Sequence, residues 1–126
     1  MCIRDRGGLG HALEQLAARA PLPVTVDATD ERFTPEVEAT AYFVACEALT
    51  NVVKHAGATR ASIAARRDDG LLVIEVSDDG NGRVEESVGS GLRGLTDRVE
   101  ARGGTLVVES LAGSGTLVRG VIPCAS

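Results

Sequence analysis

Two apolar strand pairs, each joined by a short turn, constrain the fold of this chain more than any other feature. The first pair is predicted over residues 60–66 and 71–77, around an Asp-Asp-Gly turn. The second pair is predicted over 105–110 and 116–122, around a Gly-Ser-Gly turn. Short turns of this kind join strands that run antiparallel to each other. The sequence therefore predicts a sheet that is largely antiparallel.

Three helices and one further strand accompany these pairs. Apolar residues recur at helical spacing over 9–20 and 92–102, and a short strand is predicted over 22–28. The longest helix is predicted to begin at a Thr-Pro-Glu cap at 34–36 and to end at Gly57. This order of elements predicts an α+β fold, a two-layer sandwich of a mixed, mostly antiparallel sheet with helices packed on one face.

The composition narrows the class of protein. The 126 residues suit one domain, predicted over 9–126, while residues 1–8 are expected to be a disordered or non-native segment. The net charge of −5 opposes a nucleic-acid binder that relies on neutralising phosphates. The longest uncharged apolar stretch, 39–46, is too short to cross a membrane, and no signal peptide is visible. The cysteines fit neither a disulfide framework nor a zinc site, so we expect a cytoplasmic protein.

The longest predicted helix carries a polar stripe that could line a site. Glu47, Asn51 and His55 follow each other at i, i+4 spacing and stack on one helical face, with Lys54 beside them. Asparagine is unfavourable inside a helix because its side chain competes for backbone hydrogen bonds. The stripe therefore predicts either a polar site wall or a solvated helix face, and the asparagine favours the site wall.

The segment Asp78-Asp79-Gly80-Asn81-Gly82 follows the second strand of the first pair. Its glycines let the backbone approach a flat or anionic ligand, and Asp78 at the strand end can accept a hydrogen bond. The other interpretation is an ordinary surface turn. A calcium loop is not indicated, because the spaced acids and the closing glutamate of an EF-hand are missing.

A polar, glycine-rich loop is predicted over 78–91, and it runs into the letters of a dinucleotide-binding fingerprint, Gly89-x-Gly91-x-x-Gly94. The context is wrong for that motif, because no buried strand precedes it and no βαβ unit surrounds it. A more general expectation remains: glycines that open a helix expose backbone N–H groups, which favour a phosphate. The sequence has no P-loop motif.

Each motif is weak alone, but their order and spacing are specific. Together they resemble the GHKL (Bergerat-fold) ATPase family, and more closely the catalytic ATP-binding domain of NarL/DesK-like bacterial sensor histidine kinases. The phenylalanine-containing box of larger histidine kinases has no counterpart, which fits the NarL/DesK-like class. The resemblance covers about residues 9–123 and is carried by Glu47-x-x-x-Asn51-x-x-Lys54-His55, Asp78-x-Gly80-x-Gly82, Gly89-x-Gly91-Leu92-x-Gly94 and Gly113-x-Gly115-Thr116.

The resemblance implies a site for ATP and Mg²⁺ that is divided among these motifs. Glu47 matches the catalytic acid that activates the phospho-acceptor or a water, and Asn51 matches the magnesium ligand. Asp78 matches the adenine reader, which accepts the exocyclic amino proton. The other nucleotide-binding matches are Lys54 and His55 along the phosphates, Gly80 and Gly82 beside the base, Gly89, Gly91, Leu92 and Gly94 in the lid, and Thr116, whose hydroxyl would support the adenine reader.

The implied activity is transfer of the γ-phosphate of ATP to a histidine on a separate dimerisation domain, with a response regulator downstream. No contact with nucleic acid or membrane is expected for the domain itself, whether or not the full-length kinase is anchored in a membrane. Two alternatives stay open: an anti-sigma-factor-type serine kinase, and a non-catalytic ATP-gated interaction module of the same fold. His11 is expected to be structural rather than a phospho-acceptor, and Arg93 is a hypothetical further contact to the phosphates.

Overall fold

The described part of the chain forms three helices and five strands. The computed structural model describes the backbone of residues 3–55, 58–80, 86–111 and 115–124, and the side chains of residues 8–54, 58–80, 93–109 and 115–124. In chain order, the elements are α1 (Ile3–Arg19), β1 (Val24–Ala28), α2 (Pro35–His55), β2 (Ala61–Asp68), β3 (Leu71–Asp78), α3 (Glu86–Ala101), β4 (Thr105–Leu111) and β5 (Gly115–Pro123).

The strands form one mixed sheet in the order β1-β2-β3-β5-β4. β1 runs parallel to β2, and the other neighbouring pairs are antiparallel. Leu72, Ile74 and Val76, every second residue of β3, are buried on the face that carries the helices. The predicted fold class, a two-layer sandwich with a mostly antiparallel sheet, is therefore confirmed.

A single apolar core joins the helices to this face of the sheet. Fully buried members are Leu13 of α1, Val44 of α2, Leu95 of α3, and Ile63 and Ile122 of the strands. Burying a side chain of this size stabilises the fold by about 1.5–3 kcal/mol. The core fixes α2 against β3, and these two elements carry five of the predicted site residues, namely Glu47, Asn51, Lys54, His55 and Asp78.

α2 begins where its capping residues predicted. Thr34 Oγ1 accepts a hydrogen bond from Val37 N at 3.4 Å, and Pro35 is the first helical residue, where its missing N–H is no loss. The predicted start of this helix is confirmed. The helix ends at His55, and Gly57, the predicted stop, lies outside the described residues.

α3 begins earlier than predicted. It runs over Glu86–Ala101, whereas the sequence predicted a loop up to Gly91 and a helix from Leu92. The prediction was wrong because Gly89 and Gly91 were treated as residues that open a helix, although a glycine inside a helix costs only about 1 kcal/mol. Val88 adds an earlier apolar position at helical spacing from Leu92, and acids at the start of the helix favour its positive dipole end.

The first helix also differs from its predicted start. α1 runs over Ile3–Arg19, whereas the sequence predicted a helix from Leu9; Gly8 interrupts it with φ 48° and ψ −151°, so a second helical stretch opens at Leu9. That residues 1–8 are a disordered or non-native segment stays a prediction. None of the described helices is both long enough and apolar enough to span a membrane.

Candidate functional site

Asp78, the last residue of β3, lies between two backbone donors at one end of the sheet. Its Oδ1 accepts a hydrogen bond from Gly80 N at 2.7 Å, and the backbone N–H of Thr116 also donates to the carboxylate. Burial raises the pKa of Asp78 above its ordinary value, the charge of Asp79 adds to the rise, and the two N–H donors oppose it. The carboxylate is half-buried, which suits an acceptor for one hydrogen bond from a ligand.

Gly115, the first residue of β5, meets the same strand end. Its φ is +106°, and a Cβ atom built on it would overlap the carbonyl oxygen of Asp78. A side chain at this position would therefore push β5 away from Asp78. Thr116, predicted to support Asp78 through its hydroxyl, contacts it through its backbone N–H, and the role of the hydroxyl stays a prediction.

Glu47 and Asn51 lie on one face of α2, and both are half-buried. The Nδ2 atom of Asn51 is buried and has no hydrogen-bond partner among the described residues. Leaving a buried donor unpaired costs about 1–3 kcal/mol, so packing of the fold gives no reason for an amide at this position. The Asn51 amide is therefore available to a ligand.

Lys54 is exposed and lies beside the Asn51 side of α2, as the helical spacing predicted. It contributes to the rim of a groove between α1 and α2, which Arg19 also lines. His55 closes the helix, and its side chain lies outside the described residues. Any contact of Lys54 or His55 with phosphate stays a prediction.

The predicted lid residues fall on α3 rather than on a loop. Three of them are glycines of the helix itself, namely Gly89, Gly91 and Gly94. Arg93 is exposed on the same helix. The side chain of Leu92 and the whole of Gly82 lie outside the described residues. The nucleotide contacts implied for these residues stay predictions.

Asp79 makes a set of contacts that the sequence did not reveal. Its Oδ1 accepts hydrogen bonds from Thr59 N at 2.9 Å and Arg60 N at 3.1 Å, and its Oδ2 accepts one from Thr59 Oγ1 at 2.5 Å. These hydrogen bonds lower the pKa of Asp79 to about 2, and the one from the Thr59 side chain has the largest effect. In the sequence Asp79 belongs to an Asp-Asp-Gly turn, and nothing local links it to residues that precede β2.

Asn51, the residue predicted to bind Mg²⁺, has a side chain that suits this ion. Over the described ranges, no group of three or more His, Cys, Asp or Glu side chains could hold a metal ion. Mg²⁺ is often bound by only one or two protein oxygens, together with substrate phosphates and waters. The Asn51 side chain fits that role, because its Oδ1 is the kind of oxygen that binds Mg²⁺, while its buried Nδ2, which has no partner among the described residues, could donate to a phosphate oxygen.

Known proteins resemble this chain in sequence and in fold. No protein-family model matches the chain. The chain is 33% identical over 119 residues to the sensor histidine kinase YxjM of Bacillus subtilis, and the match covers 92% of this chain and 29% of YxjM. The chain thus spans under a third of the length of this relative.

Solved histidine kinase structures share the fold. The histidine kinase domain of the blue-light activated histidine kinase from Erythrobacter litoralis EL346 superposes with a TM-score of 0.67 at 23% identity, covering 91% of this chain and 57% of that one. Full-length ShkA in complex with AMPPNP gives a TM-score of 0.72 at 20% identity, covering 97% of this chain and 30% of that one. The chain is therefore homologous to one part of sensor histidine kinases, and it has the fold of histidine kinase catalytic domains.

Proposed function

We propose that this chain binds Mg-ATP and transfers the γ-phosphate to a histidine on a separate dimerisation domain. The observation that carries the proposal is the buried Nδ2 of Asn51, which has no partner among the described residues although the amide lies inside a helix that disfavours it. A bound group with oxygen atoms would satisfy this amide. ShkA, whose fold matches, was solved with AMPPNP, an analogue of ATP.

The adenine end of the nucleotide is assigned to Asp78. Its carboxylate would accept the exocyclic amino group of the base, while the N–H groups of Gly80 and Thr116 hold the carboxylate in place. Gly80 and Gly82 would let the backbone pass close to the flat base. A carboxylate acceptor distinguishes an amino group from a carbonyl oxygen at the same position of the base, because two acceptors repel each other.

The phosphate end is assigned to the C-terminal half of α2. Asn51 would hold Mg²⁺ together with phosphate oxygens, and the ion when bound would neutralise charge on the phosphates. Lys54 and His55 would line the phosphates. The lid residues Gly89, Gly91, Leu92 and Gly94 of α3 would close over the phosphates, and Arg93 would add positive charge.

Phosphoryl transfer needs little covalent chemistry from the protein, so positioning and charge decide its rate. Glu47 would accept a hydrogen bond from one ring N–H of the acceptor histidine and so orient the other ring nitrogen toward the γ-phosphorus. The γ-phosphate would pass to that nitrogen, and ADP would leave with the bridging oxygen. The dimerisation domain that bears the histidine, a response regulator downstream and a cytoplasmic location belong to this proposal.

Calorimetric titration tests the binding half of the proposal. ATP is titrated into the chain with Mg²⁺ and with a chelator, and the same titrations are made on Asp78→Asn and Asn51→Ala. Asp78→Asn is expected to lower the affinity by roughly ten- to a hundredfold, and Asn51→Ala to remove most of the magnesium dependence. Asp27→Asn, the same substitution at an exposed residue of β1, is the control. A folded wild-type chain that binds no ATP would overturn the proposal.

A further inference from the structure

Asp79 joins the segment that carries Asp78 to the segment that leads from α2 to β2. It accepts hydrogen bonds from Thr59 N, Thr59 Oγ1 and Arg60 N, and its Oδ2 lies 3.8 Å from Arg60 Nε. Its own backbone N–H donates to the Arg60 carbonyl at 3.4 Å. We call this arrangement of Asp79, Thr59 and Arg60 the Asp79 clamp.

Both oxygens of the Asp79 carboxylate are engaged by these contacts, although the side chain stays 38% exposed. Oδ1 accepts two backbone N–H groups, and Oδ2 accepts a hydroxyl and lies beside a guanidinium. Three of its roughly four acceptor sites are thus taken by donors of the chain itself. The function of Asp79 is therefore to hold parts of the chain together rather than to bind a ligand.

One side of the clamp is the segment that carries the adenine reader. Asp79 directly follows Asp78 and directly precedes Gly80, whose N–H donates to Asp78 Oδ1 at 2.7 Å. Any shift of residue 79 is therefore passed to the Asp78 carboxylate through adjacent peptide groups.

The other side of the clamp follows the last turn of α2. Val52 is the last residue of α2 in the apolar core, and the next residues, Val53 and Lys54, are exposed. Within the last turn, core packing therefore holds Val52 but not the side chains of Val53 and Lys54. The chain that continues from it is held by Ala58, which packs partly against the core, and by the clamp at Thr59.

We propose that Asp79 is a positioning residue that holds the last turn of α2, with Lys54 and His55, at a set distance from the adenine reader Asp78. This inference rests on the proposed binding of Mg-ATP. A ligand that contacts both Asp78 and the last turn of α2 binds most tightly when the distance between them is already correct, because its binding free energy is then not reduced by the cost of ordering the site. A ligand that contacts only the adenine end gains little from this spacing.

The test compares Mg-ATP with adenosine, which lacks the phosphates. Asp79→Ala is expected to lower the affinity for Mg-ATP roughly tenfold and to leave that for adenosine within about twofold. Asp79→Asn is expected to keep most of the Mg-ATP affinity, because its single carbonyl oxygen can still accept both backbone N–H groups. The matched control is Glu38→Ala, which removes a similar contact at the other end of α2, where Glu38 Oε2 accepts Phe33 N at 2.9 Å and Arg32 Nε at 3.1 Å.

The outcomes separate this inference from the proposed function. If the wild-type chain binds no Mg-ATP, both fall. If the wild type binds and Asp79→Ala loses Mg-ATP and adenosine equally, Asp79 acts on Asp78 alone and the inference is overturned. If Asp79→Ala and Asp79→Asn both bind Mg-ATP more tightly, only the charge of Asp79 matters, and the inference is again overturned.

A second variant covers the case in which Asp79→Ala does not fold. Thr59→Val keeps both backbone N–H donors and removes only the hydroxyl contact at 2.5 Å. It is expected to lower Mg-ATP affinity about threefold with adenosine affinity unchanged. Circular dichroism confirms folding of each variant. With Asp79→Ala unfolded, a Thr59→Val chain that binds Mg-ATP as the wild type does would overturn the inference.

Discussion

The backbone carbonyl of Asp78 occupies the space in which a Cβ atom of Gly115 would lie. Gly115 also has a φ of +106°, a conformation that residues with a side chain rarely adopt. This approach brings the N–H of Thr116 to the Asp78 carboxylate, so a glycine in one strand shapes the acceptor at the end of another. Gly115 therefore supports the candidate site without presenting any side chain to it.

Gly115→Ala is expected to destabilise the fold by about 1–3 kcal/mol, because the new methyl group needs both a strained φ and displacement of the Asp78 carbonyl. The change is measured as the free energy of unfolding in urea. Gly94→Ala is the control, since a Cβ atom there meets nothing within 4 Å and alanine favours the helix. That control is expected to be neutral or slightly stabilising. Equal effects of the two substitutions would contradict the proposed steric cause.

Asp78 and Asp79 are expected to titrate on opposite sides of the ordinary aspartate pKa of 3.8. Burial raises the pKa of Asp78, whereas hydrogen bonds from Thr59 and Arg60 lower that of Asp79 to about 2. The stability contributed by Asp79 is thus complete above its unfolded pKa of 3.8 and is lost as the pH falls toward about 2. The contribution of Asp78 to stability has the opposite pH dependence. It is complete below the unfolded pKa of 3.8 and is lost as the pH rises through the raised pKa of Asp78 in the folded chain.

Carbon-13 chemical shifts of the two carboxyl groups, followed by NMR as the pH is lowered, measure these midpoints separately. Thr59→Val serves as the control, because it removes one of the hydrogen bonds to Asp79 and should raise the midpoint of Asp79 alone. Midpoints for Asp78 and Asp79 that coincide near 3.8 would show that neither environment is as described.

Asn51→Ala is expected to stabilise the chain in the absence of nucleotide by about 1 kcal/mol, while it weakens Mg-ATP binding. The substitution removes the buried Nδ2 that lacks a partner among the described residues, and alanine has the higher helix propensity. Thr40→Ala, at a half-buried position of the same helix, is the control for the gain in helix propensity, since the hydroxyl it removes donates only to the helix's own Glu36 carbonyl at 2.9 Å. A loss of stability in Asn51→Ala relative to Thr40→Ala would mean that the fold itself uses the amide.

The sequence was sufficient to predict those parts of the structure that are determined by residues close together in the chain. The start of α2 was predictable because Thr34 caps the helix within its own first turn and Pro35 can only open it. The start of α3 was not, because glycines mark a helix end only weakly and the packing of later residues, such as Leu95 and Val99, decides how far the helix extends.

The same distinction applies to the candidate site. Asp78 could be predicted as a hydrogen-bond acceptor because it is a carboxylate beside glycines at a strand end, a local pattern that also fits an ordinary surface turn. The contacts of Asp79 with Thr59 and the fit of Gly115 against Asp78 were not, because each joins residues of different strands or loops. Such contacts depend on the register in which the strands pair, and the spacing of residues within one segment does not determine that register.

Glu47→Gln tests the chemical step separately from binding. Glutamine keeps the size of the side chain, so Mg-ATP affinity should stay within about twofold of wild type, whereas the rate of transfer to a histidine-bearing dimerisation domain should fall at least 10²-fold, as estimated for loss of a general base. Transfer of radiolabelled γ-phosphate at saturating ATP measures this rate, and acid lability of the product identifies phosphohistidine rather than phosphoserine. Glu36→Gln, an exposed glutamate in the first turn of the same helix, is the control and should transfer phosphate at the wild-type rate. Unchanged transfer by Glu47→Gln would remove Glu47 from the chemical step, while the binding residues would keep their assignment.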